Sequence, residues 1–311
     1  MMRSLAGIHG PVVTPFDATT EDVVVDRFTA NIRAHLDAGL DGILVAGSTG
    51  EAALLEESER RLLLEAARAV IPPDRVLLAG IGGESSRITI RRARDAGAAG
   101  ADAVLVVSPH YYTSSMTPAA LRDHFVRVAD ESPVPVLLYN IPKYAHFALS
   151  PELVQELSRH GNIAGMKDSA GDLAILERYV QSQRDDFAVL TGNGPTFAGA
   201  LALGVTGGIL AVALYAPAQS RDVYDAAMRD DADGARAAQA RMADAARIIV
   251  GELGVPGVKA ALDEIGLQGG IPRSPLRALD ASARARVTEL VRGLSRTEPA
   301  DRARGAGAPV A

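Results

Sequence analysis

The sequence predicts an α/β fold of the (β/α)8 TIM-barrel type, with additional helices after the barrel. Three observations carry this prediction. Short apolar runs rich in β-branched residues alternate with longer amphipathic stretches. The runs lack the polar alternation of a half-exposed strand, which marks a parallel sheet covered on both faces. Eight strand–helix units follow one another within about 230 residues, the number and length that close a barrel. A doubly wound sheet, the competing arrangement, usually has fewer strands.

Taken in order, the strand runs are residues 10–14, 42–46, 76–81, 103–107, 134–139, 163–167, 188–191 and 207–210. The helical patterns that follow them are 24–38, 58–70, 85–99, 118–130, 151–159, 173–181, 195–203 and a last one near 217–229. Glycine and aspartate punctuate the joints: Gly39-Leu40-Asp41-Gly42 and Gly100-Ala101-Asp102 read as helix C-caps leading into the next strand. After about residue 230 the strands stop, and 235–250, 258–265 and 282–294 read as three helices packed on one side of the barrel. The expected division is a barrel at 1–230 and a helical extension at 231–295. The Ala/Gly/Pro/Arg-rich tail, 296–311, is expected to be disordered. Residues 194–220 carry no charge and are long enough to span a membrane. Pro195, Pro217, Gly204, Gly207 and Gly208 instead divide them into helix, turn and short buried strand. No membrane span and no targeting segment is expected, and the expected location is the cytoplasm.

Composition narrows the chemistry. The 311 residues carry a net charge of −6, with 29 arginines, three lysines and no cysteine or tryptophan. The absence of cysteine excludes disulfides, thiolate metal sites and cysteine nucleophiles. The mild acidity argues against nucleic acid or anionic lipid as a partner. The six histidines show no ligand spacing, so no metal is expected. Gly80-Ile81-Gly82-Gly83 lacks the third glycine of a dinucleotide fingerprint, and no phosphate loop or nucleophile elbow occurs. The lysines are the oddity. Where arginine is the habitual cation, a lysine can mark a place where arginine would fail, because arginine cannot become a neutral amine.

In such barrels the catalytic groups stand at the C-terminal ends of the strands. Lys167 ends the sixth run, behind the apolar Asn162-Ile163-Ala164-Gly165-Met166. An amine withdrawn from water is pushed toward its neutral form, which can attack a ketone to give a Schiff base. A structural lysine paired with Asp168 or Glu51 is the alternative. Tyr139 ends the neighbouring run, where its phenol either passes protons or serves as a satisfied core tyrosine. Ser48-Thr49-Gly50 combines two hydroxyls with backbone N–H groups at a strand-to-helix turn, a cradle for a carboxylate or a plain helix cap. Lys259 lies beyond the barrel and reads as structural. Lys143 stands in the loop after the fifth run.

Gly47-Ser48-Thr49-Gly50-Glu51, Tyr139-Asn140-Ile141-Pro142 and Gly165-Met166-Lys167-Asp168-Ser169 together resemble the dihydrodipicolinate synthase / N-acetylneuraminate lyase family, over about residues 7–294. The resemblance implies a class I, Schiff-base aldolase or lyase, usually a homotetramer built as a dimer of dimers. It implies that Lys167 forms the imine with pyruvate or another small 2-oxo acid, with no cofactor, and that Tyr139 transfers protons. Thr49 then links Tyr139 to a tyrosine of the adjacent subunit, Tyr112 in preference to Tyr111. Ser48, Thr49 and Gly50 hold the substrate carboxylate, and Ser169, Ile209 and Tyr144 face the substrate. Members that make dihydrodipicolinate carry an arginine shortly after Tyr-Asn-x-Pro, and here Tyr144 takes that place. Ser108-Pro109-His110-Tyr111-Tyr112 and Gly254-Val255-Pro256-Gly257-Val258-Lys259 are more similar to 4-hydroxy-2-oxoglutarate and 2-keto-3-deoxy sugar acid aldolases. The leading expectation is therefore cleavage of a hydroxylated 2-oxo acid to pyruvate and an aldehyde. The alternatives are 4-hydroxy-tetrahydrodipicolinate synthase, which condenses pyruvate with aspartate semialdehyde, a 2-keto-3-deoxy acid dehydratase, and a non-catalytic 2-oxo acid binder.

Overall fold

The structure, a computed structural model, describes residues 3–296. Eight parallel strands close into a barrel in sequence order: β1 (Gly7–Pro11), β2 (Gly42–Val45), β3 (Val76–Gly80), β4 (Ala103–Val107), β5 (Val136–Asn140), β6 (Ile163–Asp168), β7 (Ala188–Thr191) and β8 (Gly207–Ile209). Helices α1 (Val25–Asp37), α2 (Glu57–Val70), α3 (Ser86–Ala98) and α4 (Pro118–Glu131) follow the first four strands. After β5 come a single turn, α5 (Pro142–Ala145), and then α6 (Pro151–Leu157). The circuit ends with α7 (Leu173–Val180), α8 (Phe197–Ala202) and α9 (Pro217–Met228). Beyond it lie α10 (Ala232–Ala245), a π-helical continuation (Ala246–Glu252), α11 (Gly254–Glu264) and α12 (Ala281–Arg296). Arg296 is thus the last residue of a helix, and the rest of the tail lies outside the described residues.

The strands explain their own lack of polar alternation. Leu44, Leu78, Leu105, Leu137, Tyr139, Leu190 and Ile209 fill the barrel interior, while Ile43, Val45, Leu77, Val104 and Leu138 pack outward against the helices. Both faces are buried, so both are apolar. The seam between first and last strands pairs Gly7 with Gly207 and Ile8 with Gly208. A Cβ on Gly207 would overlap the Gly7 carbonyl, so the strands close only because that position is glycine.

Several boundaries differ from expectation. The first strand is three residues earlier than predicted. Its ladder with β8 is made by Gly7, Ile8 and His9, whereas Val12 and Val13 are buried above the sheet. β5 begins at Val136 because Pro135 has no N–H to give a ladder. The helix expected at 235–250 changes to π geometry after Ala245. α11 begins four residues before its predicted start, with Pro256 in its first turn, where a missing N–H costs nothing. The uncharged 194–220 segment is divided among α8, β8, a 3₁₀ turn and the start of α9. Among the described residues no helix is long and apolar enough to cross a membrane.

Candidate active site

The chemistry-bearing residues meet at the C-terminal end of the barrel. The pairing of β5 with β6 sets Leu137 against Gly165, Tyr139 against Lys167 and Asn140 against Asp168. Because side chains alternate along a strand, Tyr139 and Lys167 share the inner face. Lys167 is buried, and its Nζ lies 3.5 Å from the Tyr139 hydroxyl and 4.5 Å from the centre of its ring. Neither carboxylate proposed as a structural partner takes that role. Asp168 accepts a 2.6 Å hydrogen bond from Asn140 Nδ2 and another from the Ala170 N–H. Burial pushes the Asp168 carboxyl upward, and the Asn140 bond opposes that shift. Glu51 is ion-paired with Lys259. Gly192 keeps the space open, since a Cβ there would stand 2.5 Å from Lys167 Cε and overlap Ser169 Oγ.

A cavity of about 160 Å³ contains this pair, with Ser48, Thr49, Ser169, Ile209 and Tyr144 also in its walls. Gly50 stands behind them: its carbonyl accepts a 2.8 Å bond from Thr14 Oγ1, and a Cβ would press on the Val12 carbonyl. Within one chain Thr49 makes no hydrogen bond to Tyr139 among the described residues. Tyr111 and Tyr112 stack edge to face on the loop after β4, 77% and 66% exposed, pointing away from their own barrel's core. Tyr144 is half-exposed. Its hydroxyl is pushed up by burial and by Tyr139, and it also lines an adjoining cavity of about 710 Å³. Lys143 lies in the wall beside it, donating a 2.8 Å bond to the Gly251 carbonyl. No group of three or more His, Cys, Asp or Glu suited to a metal occurs among the described residues.

Other contributors went unassigned in the sequence. Asn140 joins Asp168 to the Leu149 N–H, tying β6 to the β5–α6 connection. Asn193 lines the cavity and caps the turn into α8 by accepting from Thr196. Both stand at strand ends, which was the available signal, but amides carry no chemistry that singles them out. A scan against family models matches the dihydrodipicolinate synthetase family over residues 4–294. The chain belongs to that family. Within the dihydrodipicolinate synthetase family it is 37% identical over 281 residues to a 4-hydroxy-tetrahydrodipicolinate synthase of Xanthomonas axonopodis pv. citri, covering 90% of this chain and 91% of the relative. Its barrel superposes with a TM-score of 0.88 on the chloride-inhibited dihydrodipicolinate synthase of Acinetobacter baumannii complexed with pyruvate, at 28% identity, covering 94% of this chain and 99% of that one. A prophage protein of the family from E. coli K12, also in complex with pyruvate, gives 0.87 at 29% identity, covering 94% and 99%. Family membership thus makes the chain an enzyme of the lyase class, of the aldolase type.

Proposed function

We propose that Lys167 condenses with C2 of pyruvate to form an imine, and that the derived enamine adds to an aldehyde. The observation that carries this is the pairing of a buried, carboxylate-free Lys167 with the Tyr139 phenol. The amine attacks the ketone and water leaves. The protonated imine then draws electrons from C3, whose proton leaves through the Tyr139 hydroxyl as C3 becomes the carbon nucleophile. As C3 bonds to the aldehyde carbon, Tyr139 donates a proton to the alkoxide, and hydrolysis of the imine regenerates Lys167. Ser48, Thr49 and the turn amides bind the pyruvate carboxylate, and Ser169 and Ile209 shape the methyl side. Thr49 joins Tyr139 to Tyr112 of an adjacent subunit, whose exposure in the single chain supports such a contact. The homotetramer and the absence of a cofactor belong to the same proposal.

For the aldehyde, the names of the relatives support condensation with aspartate semialdehyde. This reverses the order of the sequence expectation, which put cleavage of a hydroxylated 2-oxo acid first. Cleavage is the same carbon–carbon step run backward, and Tyr144 favours it as the second choice because no arginine stands there. Borohydride trapping with pyruvate tests the common step. A reduced adduct is expected on Lys167 and none in Lys167→Ala; an adduct on Lys143 would overturn the assignment. Condensation with aspartate semialdehyde, run beside pyruvate release from 4-hydroxy-2-oxoglutarate, 2-keto-3-deoxygluconate and N-acetylneuraminate, then separates the two directions.

A further inference from the structure

Lys259 is the lysine that this chemistry leaves unused. It projects from α11 into the barrel end with a side chain 2% exposed. Its Nζ lies 2.5 Å from Glu51 Oε1 and donates to the Thr14 carbonyl at 2.8 Å and the Ile271 carbonyl at 2.5 Å. Two of its N–H groups are thus given to backbone carbonyls, and its charge is matched by the Glu51 carboxylate. Lys259 is therefore not a spare nucleophile. The other Glu51 oxygen accepts the Arg273 N–H at 2.8 Å, and the Arg273 guanidinium is clamped by Glu59. Glu51 itself holds a left-handed φ of 58°, a conformation that a residue with a Cβ keeps only when its surroundings impose it.

We propose that Lys259 is a positioning residue: its ion pair with Glu51 fixes the 47–51 turn so that Ser48 and Thr49 face the substrate. The assignment of Ser48 and Thr49 as substrate contacts rests on the proposed function. Two observations connect the pair to the site beyond simple stability. Thr14, whose carbonyl Lys259 holds, uses its hydroxyl to hold Gly50 in the same turn. Val258, the residue before Lys259, lines the cavity containing Lys167. Burying an ion pair also gains little stability over an apolar pair of similar shape. What the pair adds is direction, drawing α11, the segment after β1 and the β2 turn to one point.

The deciding variant is the double replacement Glu51→Gln/Lys259→Met in the full chain, which leaves no buried charge unpaired. Amide exchange of residues 47–54 is expected to quicken about tenfold, with β4 unchanged. The pyruvate concentration giving half-maximal borohydride adduct on Lys167 is expected to rise by about the same factor, within the range for coupled neighbouring groups, and the yield at saturation to change little. Parent-like exchange and parent-like saturation would overturn the proposal, as would exchange that quickens uniformly across the barrel. If the double variant does not fold, Thr14→Val removes only the hydroxyl on Gly50. It is expected to give the same pattern at about threefold, and parent-like values there overturn the proposal. A parent protein that forms no adduct on Lys167 would overturn the Schiff-base assignment alone, and the exchange measurement would still decide the role of Lys259.

Discussion

Lys167 and Tyr139 meet because one pairing register puts them opposite each other on the inner face. A slip of β6 by one residue would turn Lys167 outward among the helices and leave Tyr139 inside without it. The geometry is then held by small things. In Gly192→Ala, a methyl group would press on Lys167 Cε. Adduct formation with pyruvate is expected to slow by about 10- to 100-fold, the scale of a misplaced reacting group, while the thermal midpoint stays within a few degrees. Asn140 holds the buried Asp168 carboxylate. Asn140→Ala leaves it short of a donor and is expected to cost about 2 kcal/mol in urea unfolding; a loss under about 0.5 kcal/mol would mean that the other Asp168 contacts suffice. Lys167 was legible in the sequence because it is one of three lysines among 29 arginines and ends an apolar run. Lys259 was legible only as structural, because its partners Glu51, Thr14 and Ile271 come from segments that only the closed barrel brings together.

At the level of elements, the strands and most barrel helices could be placed from pattern and caps. Ser85, Thr117, Ser150 and Asp172 each accept a backbone N–H in the first turn of the helix they precede, and Pro118 and Pro151 open theirs. Asp172 accepts two, from Ala174 and Ile175. Replacing it with alanine is expected to lower stability by about 1 kcal/mol, read as a lower denaturant midpoint at unchanged slope. The elements that escaped prediction were those without periodicity. α5 is a single turn ended by His146 at a φ of 63°, and the π segment differs from α-helix only in hydrogen-bond partner. Both border the cavity, so the local exceptions to the pattern gather where the substrate is expected.

For the molecule as a whole, burial sets a response to acid. His35 and His124 are pulled down to about 4 by burial, and His9 is lowered by the same cause. His35 and His124 are neutral in the folded chain at pH 6, whereas in the unfolded chain each binds a proton near its ordinary value of 6.5, and His9 shifts in the same direction. Their contribution is therefore complete above about pH 6.5 and is lost as pH falls toward 4, by roughly 3 kcal/mol for each of His35 and His124. Unfolding free energies measured from pH 7.5 to 4.5 should fall along that course, and a flat profile would mean that the rings find partners in the folded state. Light scattering tests the association proposed through Tyr112: Tyr112→Ala is expected to shift the mass toward smaller species. The seam of the barrel has a consequence of another kind. Gly207 against Gly7, like Gly80 against the Ala46 carbonyl, has no room for a side chain. Selection would preserve such positions as strictly as Lys167, although they touch no substrate. In a saturation-mutagenesis map they would form a second band of intolerance around the strands, and a search for the catalytic centre by intolerance alone would be drawn to it.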